Sequence, residues 1–80
     1  MSVQAYIMMN VKTGTEDEVS NQILKFSEVE EIAVIYGEYD LIVKVKAKDM
    51  SHLDKLIVDK MRSIQDILLT ATMLIAKEYK

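Results

Sequence analysis

The chain has no cysteine, no proline and no tryptophan, and it carries only two glycines, one histidine and one arginine. Without cysteine there is no disulfide to staple a small fold, no thiolate to hold zinc or an iron–sulfur cluster, and no thiol nucleophile. The single histidine, His52, has no partner at a recognisable catalytic spacing, so a structural or exposed role is expected for it. The HExxH and P-loop patterns are absent. No apolar run approaches the roughly 18 residues of a spanning helix, and no basic stretch precedes an apolar one at the N-terminus. No membrane association is expected, and a cytoplasmic location is. The two glycines, Gly14 and Gly37, stand alone, with no Pro-, Gly- or Ser-rich linker and no repeat, so the chain reads as one compact unit over residues 1–80.

What is present is apolar and mildly acidic. Half of the 80 residues are hydrophobic, and ten basic against thirteen acidic residues leave a formal charge of -3. Phosphate contacts need a basic face, so direct nucleic-acid binding is not expected, and Lys46, Lys48, Lys55 and Lys60 read as a solvated face. A monomer of this size buries only roughly 60% of its unfolded surface and is marginal alone. With disulfides and a structural metal excluded, self-association is the remaining way to stabilise it.

The patterning alternates between period two and period 3.6. Val3, Ala5, Ile7, Met9 and Val11 alternate with Gln4, Tyr6, Met8, Asn10 and Lys12, predicting a first strand. Thr15, followed by Glu18, reads as a capping box opening a helix over about Glu16–Phe26 with the stripe Val19, Ile23, Phe26. Glu28, Glu30 and Glu31 form a short acidic connection, read as solvated rather than cation-binding. Strands are predicted over Glu31–Tyr36 and Leu41–Ala47, joined by the hairpin turn Gly37-Glu38-Tyr39-Asp40. Ser51, with Asp54, reads as the cap of a second helix over about His52–Ser63, striped by Leu53, Leu56, Ile57, Met61 and Ile64. The fourth strand spans Ile67–Lys77: Leu69, Ala71, Met73 and Ile75 face one way, and Leu68, Thr70, Thr72, Leu74 and Ala76 the other.

The order is β-α-β-β-α-β, which predicts an α+β, ferredoxin-like fold: a four-stranded antiparallel sheet with both helices on one face. The other face should be polar in a monomer. It is expected instead to present Tyr6, Met8, Ile35, Ile42, Leu68 and Leu74, with Thr70 and Thr72. An uncovered apolar face marks an interface, here a dimer through the open sheet.

Enzyme chemistry finds little support. A small cofactor-free oxygenase or isomerase of this architecture would need a polar cleft, and Tyr6, Asn10 and His52 are too sparse for one. No cofactor and no metal are expected. The Gly37 turn is different. A glycine that allows positive φ, flanked by Glu38 and Asp40, offers backbone N–H groups to a carboxylate and carboxylates to an ammonium group. A small zwitterion such as an amino acid needs both, and Thr70 and Thr72 add hydroxyls if assembly brings them near. The same residues also fit a plain hairpin glycine, a turn-capping aspartate and two β-forming threonines.

The run VIYGEYDLIVKVKAKDMSHLDKLIVDKM, followed by TATMLIA, resembles the C-terminal effector-binding domain of the Lrp/AsnC family, the RAM domain. The order of elements carries the resemblance: a Gly, two residues and an Asp before a strand, an Asp before a Leu-rich helix, and a last strand with Thr. It covers residues 3 to 78. The resemblance implies dimers through the sheet faces, rings of dimers such as octamers or decamers, and an amino-acid effector bound between dimers. It assigns Gly37, Tyr39 and Asp40 to the effector-binding turn, Thr70 and Thr72 to the strand beside it, and Glu31 and Ala33 to its surroundings. In that assignment Asp40 meets the α-ammonium, while backbone amides and a Thr hydroxyl meet the carboxylate. The chain begins at the first strand of such a domain, so it resembles a stand-alone RAM protein that senses an amino acid or joins full-length Lrp/AsnC regulators. A purely structural or adaptor oligomer is the alternative.

Overall fold

A computed structural model describes residues 2–80. The elements are β1 (Val3–Val11), α1 (Glu16–Ile23), β2 (Val29–Val34), β3 (Leu41–Ala47), α2 (Met50–Lys55), a π-helical continuation of α2 (Leu56–Met61), and β4 (Ile67–Leu74). The sheet order is β2-β3-β1-β4, with every neighbouring pair antiparallel. This is the expected ferredoxin-like arrangement, with β1 and β3 inside and β2 and β4 at the edges.

The alternation of β1 and β3 decides the core. Ala5, Ile7, Met9 and Val11 pair with or flank Leu41, Val43, Val45 and Ala47, and all are buried. Against them pack Val19 and Ile23 of α1 and Leu53, Leu56, Ile57, Met61 and Ile64 of the second helical stretch. Each fully buried aliphatic of this kind contributes about 1.5–3 kcal/mol relative to exposure. In the second helical stretch Leu56 and Met61, five residues apart, are both buried, and Arg62 N–H reaches back five residues to the Ile57 carbonyl at 2.9 Å. That hydrogen bond spacing is the wider π turn.

Several local expectations are corrected. The capping box does not form: the Thr15 hydroxyl donates to the Lys12 carbonyl at 2.6 Å, closing the Gly14 turn instead. Helix α1 stops at Ile23 because Lys25 and Phe26 N–H bond three residues back, to Gln22 and Ile23, and tighten the chain out of the helix. Ser51 is not the second cap. Asp49 is, its carboxylate accepting from His52 N–H at 2.8 Å, so the helix starts at Met50. Strand β2 runs Val29–Val34 rather than to Tyr36, which is fully exposed, and β4 ends at Leu74.

Strand β4 faces the opposite way from the expectation. The register sets Tyr6 opposite Met73, Met8 opposite Ala71 and Asn10 opposite Leu69, so these share the open face. Thr70 and Thr72 lie opposite the core residues Met9 and Ile7, and Leu74 opposite Ala5, on the helix side. Leu68 is the extra residue at the bulge between Asn10 and Val11. Thus Leu74, Thr70 and Thr72 do not belong to the open face. Leu69, Ala71 and Met73 do, with Tyr6, Met8 and Ile42. Ile35 lies just past the end of β2, half-buried.

Candidate functional site

The candidate residues fall in three places. The first is the turn. Gly37 adopts φ 144°, a backbone that L side chains rarely take, yet a Cβ there would meet nothing within 4 Å. The glycine is therefore needed for its backbone and not for space. The turn is closed by Ile35 N–H donating to the Asp40 carbonyl at 2.9 Å. Asp40 ties it to the sheet twice: its N–H donates to the Met9 carbonyl at 2.9 Å, and its Oδ2 accepts from Val11 N–H at 2.9 Å. The carboxylate thus clasps the end of β1, and among the described residues its other oxygen has no hydrogen-bond partner.

The second place is the helix side of edge strand β4. Thr72 lines a groove of about 310 Å³ with Met50, Leu53, Asp54, Ile57, Val58, Arg62 and Leu74. Thr70 lines an adjoining one of about 250 Å³ with Arg62, Ile67, Leu68 and Leu69. Arg62 belongs to both, so the only arginine of the chain stands beside both candidate threonines. Thr70 and the Asp40 backbone flank the same residue, Met9, from the two sides of β1, which sets turn and threonine at one end of the sheet.

The third place is the opposite edge. Glu31 and Ala33 lie on the open face of β2, paired with Lys44 and Ile42, and border a shallow depression with Tyr6. Three strand spacings, about 14 Å, separate β2 from β4. One protomer therefore does not unite Glu31 and Ala33 with Thr70 and Thr72.

One constellation has no counterpart in the sequence reading. Glu28, expected to be solvated, is 8% exposed. Its Oε2 accepts from His52 Nε2 at 2.7 Å and from Lys60 Nζ at 3.3 Å, while Lys48 N–H donates to His52 Nδ1 at 3.0 Å. The Lys48 bond leaves the proton of a neutral His52 on Nε2, the nitrogen facing Glu28. Burial pushes the Glu28 carboxyl up, but the hydrogen bonds from His52, from its own backbone amide and from Lys60 outweigh burial and hold it below its usual value. The cluster locks the start of β2 to both parts of the second helical stretch, and it makes His52 structural. Nothing in local spacing announces it, since Glu28 and His52 are 24 residues apart. Glu30 and Glu31 are exposed as expected, and among the described residues no three His, Cys, Asp or Glu converge on a metal position. On the open face Lys44 pairs with Glu78 at 2.6 Å, which raises its pKa, and lies over the Tyr6 ring.

The family described as the Lrp/AsnC ligand binding domain matches residues 4–80. The chain belongs to that family. This Lrp/AsnC domain is 32% identical over 79 residues to the HTH-type transcriptional regulator FL11 of Pyrococcus furiosus, covering 99% of the chain and 52% of FL11. It spans about half the length of the curated relatives it matches. Among solved structures it is similar to FFRP-DM1, with 44% identity and a TM-score of 0.88 over 91% of this chain and 97% of that one. It also superposes on the transcriptional regulator NMB0573 of Neisseria meningitidis, solved with L-Met, at a TM-score of 0.91 over 98% of this chain and 52% of that one. Identity there is 20%, so the likeness is one of fold. The family is one of ligand-binding domains, in keeping with the reading that the chain is not an enzyme. Among the described residues no helix is long and apolar enough to cross a membrane.

Proposed function

We propose that this chain is a single RAM-type unit that binds an amino acid, assembles through its open sheet face, and acts in the cytoplasm on Lrp/AsnC-type regulation without contacting DNA itself. The observation that carries the reading is the arrangement at one end of the sheet: a glycine turn, a carboxylate with one oxygen free, and Thr70 beside Arg62, in a Lrp/AsnC ligand-binding domain. The turn of one dimer would meet the β4 edge of the next, so that Gly37, Tyr39 and Asp40 join Thr70 and Thr72 across a ring. Glu31 and Ala33 would contribute only through such a neighbour. Calorimetry of the chain against the twenty amino acids tests it. Saturable binding of at least one is expected, and a folded chain that binds none sinks the sensor reading.

The open face supports self-association. Tyr6, Met8, Ile42, Leu69, Ala71 and Met73 form a stripe that no strand or helix covers among the described residues, and Leu69 and Met73 are about half exposed. Each 100 Å² of apolar area buried there is worth about 2.5 kcal/mol before association costs. The same stripe favours a second reading, an adaptor that enters mixed assemblies with longer Lrp/AsnC regulators. Mixing the chain with such a regulator and weighing the products by native mass spectrometry tests it. Only unmixed species would argue for self-assembly alone.

A further inference from the structure

Two lysines of β3 share the open face and differ in their surroundings. Lys46, opposite Gln4, is exposed. Lys44, opposite Tyr6, has a side chain only 14% exposed, although no strand or helix lies over it among the described residues. The C-terminal tail supplies the cover. Ile75 N–H donates to the Gln4 carbonyl at 2.9 Å, so the chain is still tied to β1 one residue past β4. Three residues later the Glu78 carboxylate meets Lys44 Nζ at 2.6 Å. Strands β4 and β3 are two strand spacings apart, about 10 Å, and three extended residues span about that distance. The tail therefore turns inward over the face to make this pair. Lys44 Nζ also lies 5.9 Å from the centroid of the Tyr6 ring. Glu31, opposite Lys44 on edge strand β2, is exposed and makes no ion pair with it, so Glu78 is the carboxylate that Lys44 bonds.

Resting on the open-face assembly proposed above, we infer that the C-terminal tail belongs to the assembly surface, with Glu78 the counter-ion that lets Lys44 be buried against a second copy of this chain. A sheet packed on this face takes water from the Lys44 ammonium, and a charge buried without a partner is strongly unfavourable. Glu78 brings the opposite charge before the second copy arrives, so the face that closes is neutral at Lys44. In a two-fold dimer both copies present the same surface, and each carries its own pair. The two partners are not equivalent. Lys44 is anchored inside the sheet, in β3 between β1 and β2. Glu78 stands on a tail outside any strand or helix, with its side chain 39% exposed, and is free to turn to water when Lys44 is replaced. Loss of the carboxylate therefore strands the ammonium, whereas loss of the ammonium strands nothing.

Sedimentation equilibrium of the full chain tests this with three variants. Glu78→Gln is expected to weaken self-association roughly tenfold, since each dimer loses two pairs. Lys44→Met should associate at least as tightly as the parent. The double variant Lys44→Met, Glu78→Gln should follow Lys44→Met, so that removing the ammonium rescues the loss of the carboxylate. Glu78 lies beyond the last strand, so its replacement does not threaten the fold. Unchanged association of Glu78→Gln overturns the inference. Tighter association of Glu78→Gln also overturns it, because the tail would then obstruct the face. Equal weakening in Glu78→Gln and in the double variant overturns it as well, since the carboxylate would then act on something other than Lys44. All three results leave open-face assembly standing, whereas a parent chain that stays monomeric at every concentration ends both readings.

Discussion

Ile7 and Met8 are neighbours in β1, and they face two different environments. Ile7 is fully buried beneath the helices, in a layer whose contacts are all made within the chain. Met8 lies on the other face between Ile42 and Ala71, half-buried, in an apolar stripe that no element covers. The helix face has aliphatic residues at matching periods on strands and helices, and its one buried charge, Glu28, is paired. The open face has similar apolar residues and no partner. One side of the sheet holds the protomer together, and the other is available for assembly.

Substitution at these two positions should separate the two roles. Ile7→Ala leaves a cavity in a closed core and is expected to cost about 2–5 kcal/mol, read from denaturant unfolding of the chain. Met8→Lys should abolish self-association, read from the sedimentation coefficient, and lower folding stability only by what assembly adds, less than Ile7→Ala does. Equal losses of folding stability at both positions would mean that the open face is also needed inside the protomer, and the contrast would fail.

The Glu28 cluster tests how completely the helix side is satisfied internally. Glu28→Gln keeps the shape but removes the charge that His52 and Lys60 bond, and a loss of about 2–3 kcal/mol is expected at neutral pH. The pH dependence has a definite sign. The Glu28 carboxyl titrates below its usual 4.5 in the folded chain, so the folded state binds fewer protons there than the unfolded state. Its contribution is fully present above about 4.5 and is lost as the pH falls through the folded value. Urea midpoints measured from pH 7 to pH 3 should therefore fall less steeply for Glu28→Gln than for the parent.

The elements were legible where one face differed chemically from the other. In β1 and β3 the inward residues are aliphatic and the outward ones include Gln4, Asn10, Lys44 and Lys46, so alternation alone gave the facing. In β4 both faces are apolar or Thr, so period two identified a strand without saying which side met the core. The bulge that sets Val11 against Ile67 and leaves Leu68 unpaired settled it. Thr15 and Glu18 satisfy the spacing of a capping box, but the Gly14 turn, at φ 85°, brings the hydroxyl to the Lys12 carbonyl first. The turn glycine was legible because positive φ leaves few other residues. Arg62 beside the threonines and Glu28 beside His52 were not, because both juxtapositions arise only when helices pack on the sheet.

Gly37 and Asp40 lie between the two regimes, half engaged inside the chain and half free. Gly37→Ala has room for its methyl group, so only the backbone resists, and about 1–2 kcal/mol of destabilisation is expected, read from the thermal midpoint.

Asp40 allows a finer division, because its oxygens have different duties. Asp40→Asn retains a side-chain oxygen for Val11 N–H and loses only the charge, so its effect on stability should be below about 1 kcal/mol. Asp40→Ala removes the acceptor and leaves the Val11 N–H to find another partner, so it should cost more, by about 1 kcal/mol. If the free oxygen meets a ligand ammonium from a neighbouring dimer, Asp40→Asn weakens amino-acid binding in the assembled protein while the thermal midpoint barely moves. If affinity is also unchanged, Asp40 serves the sheet alone. The comparison of binding against stability in this one variant therefore assigns the turn either to the face that looks inward or to the one that looks outward.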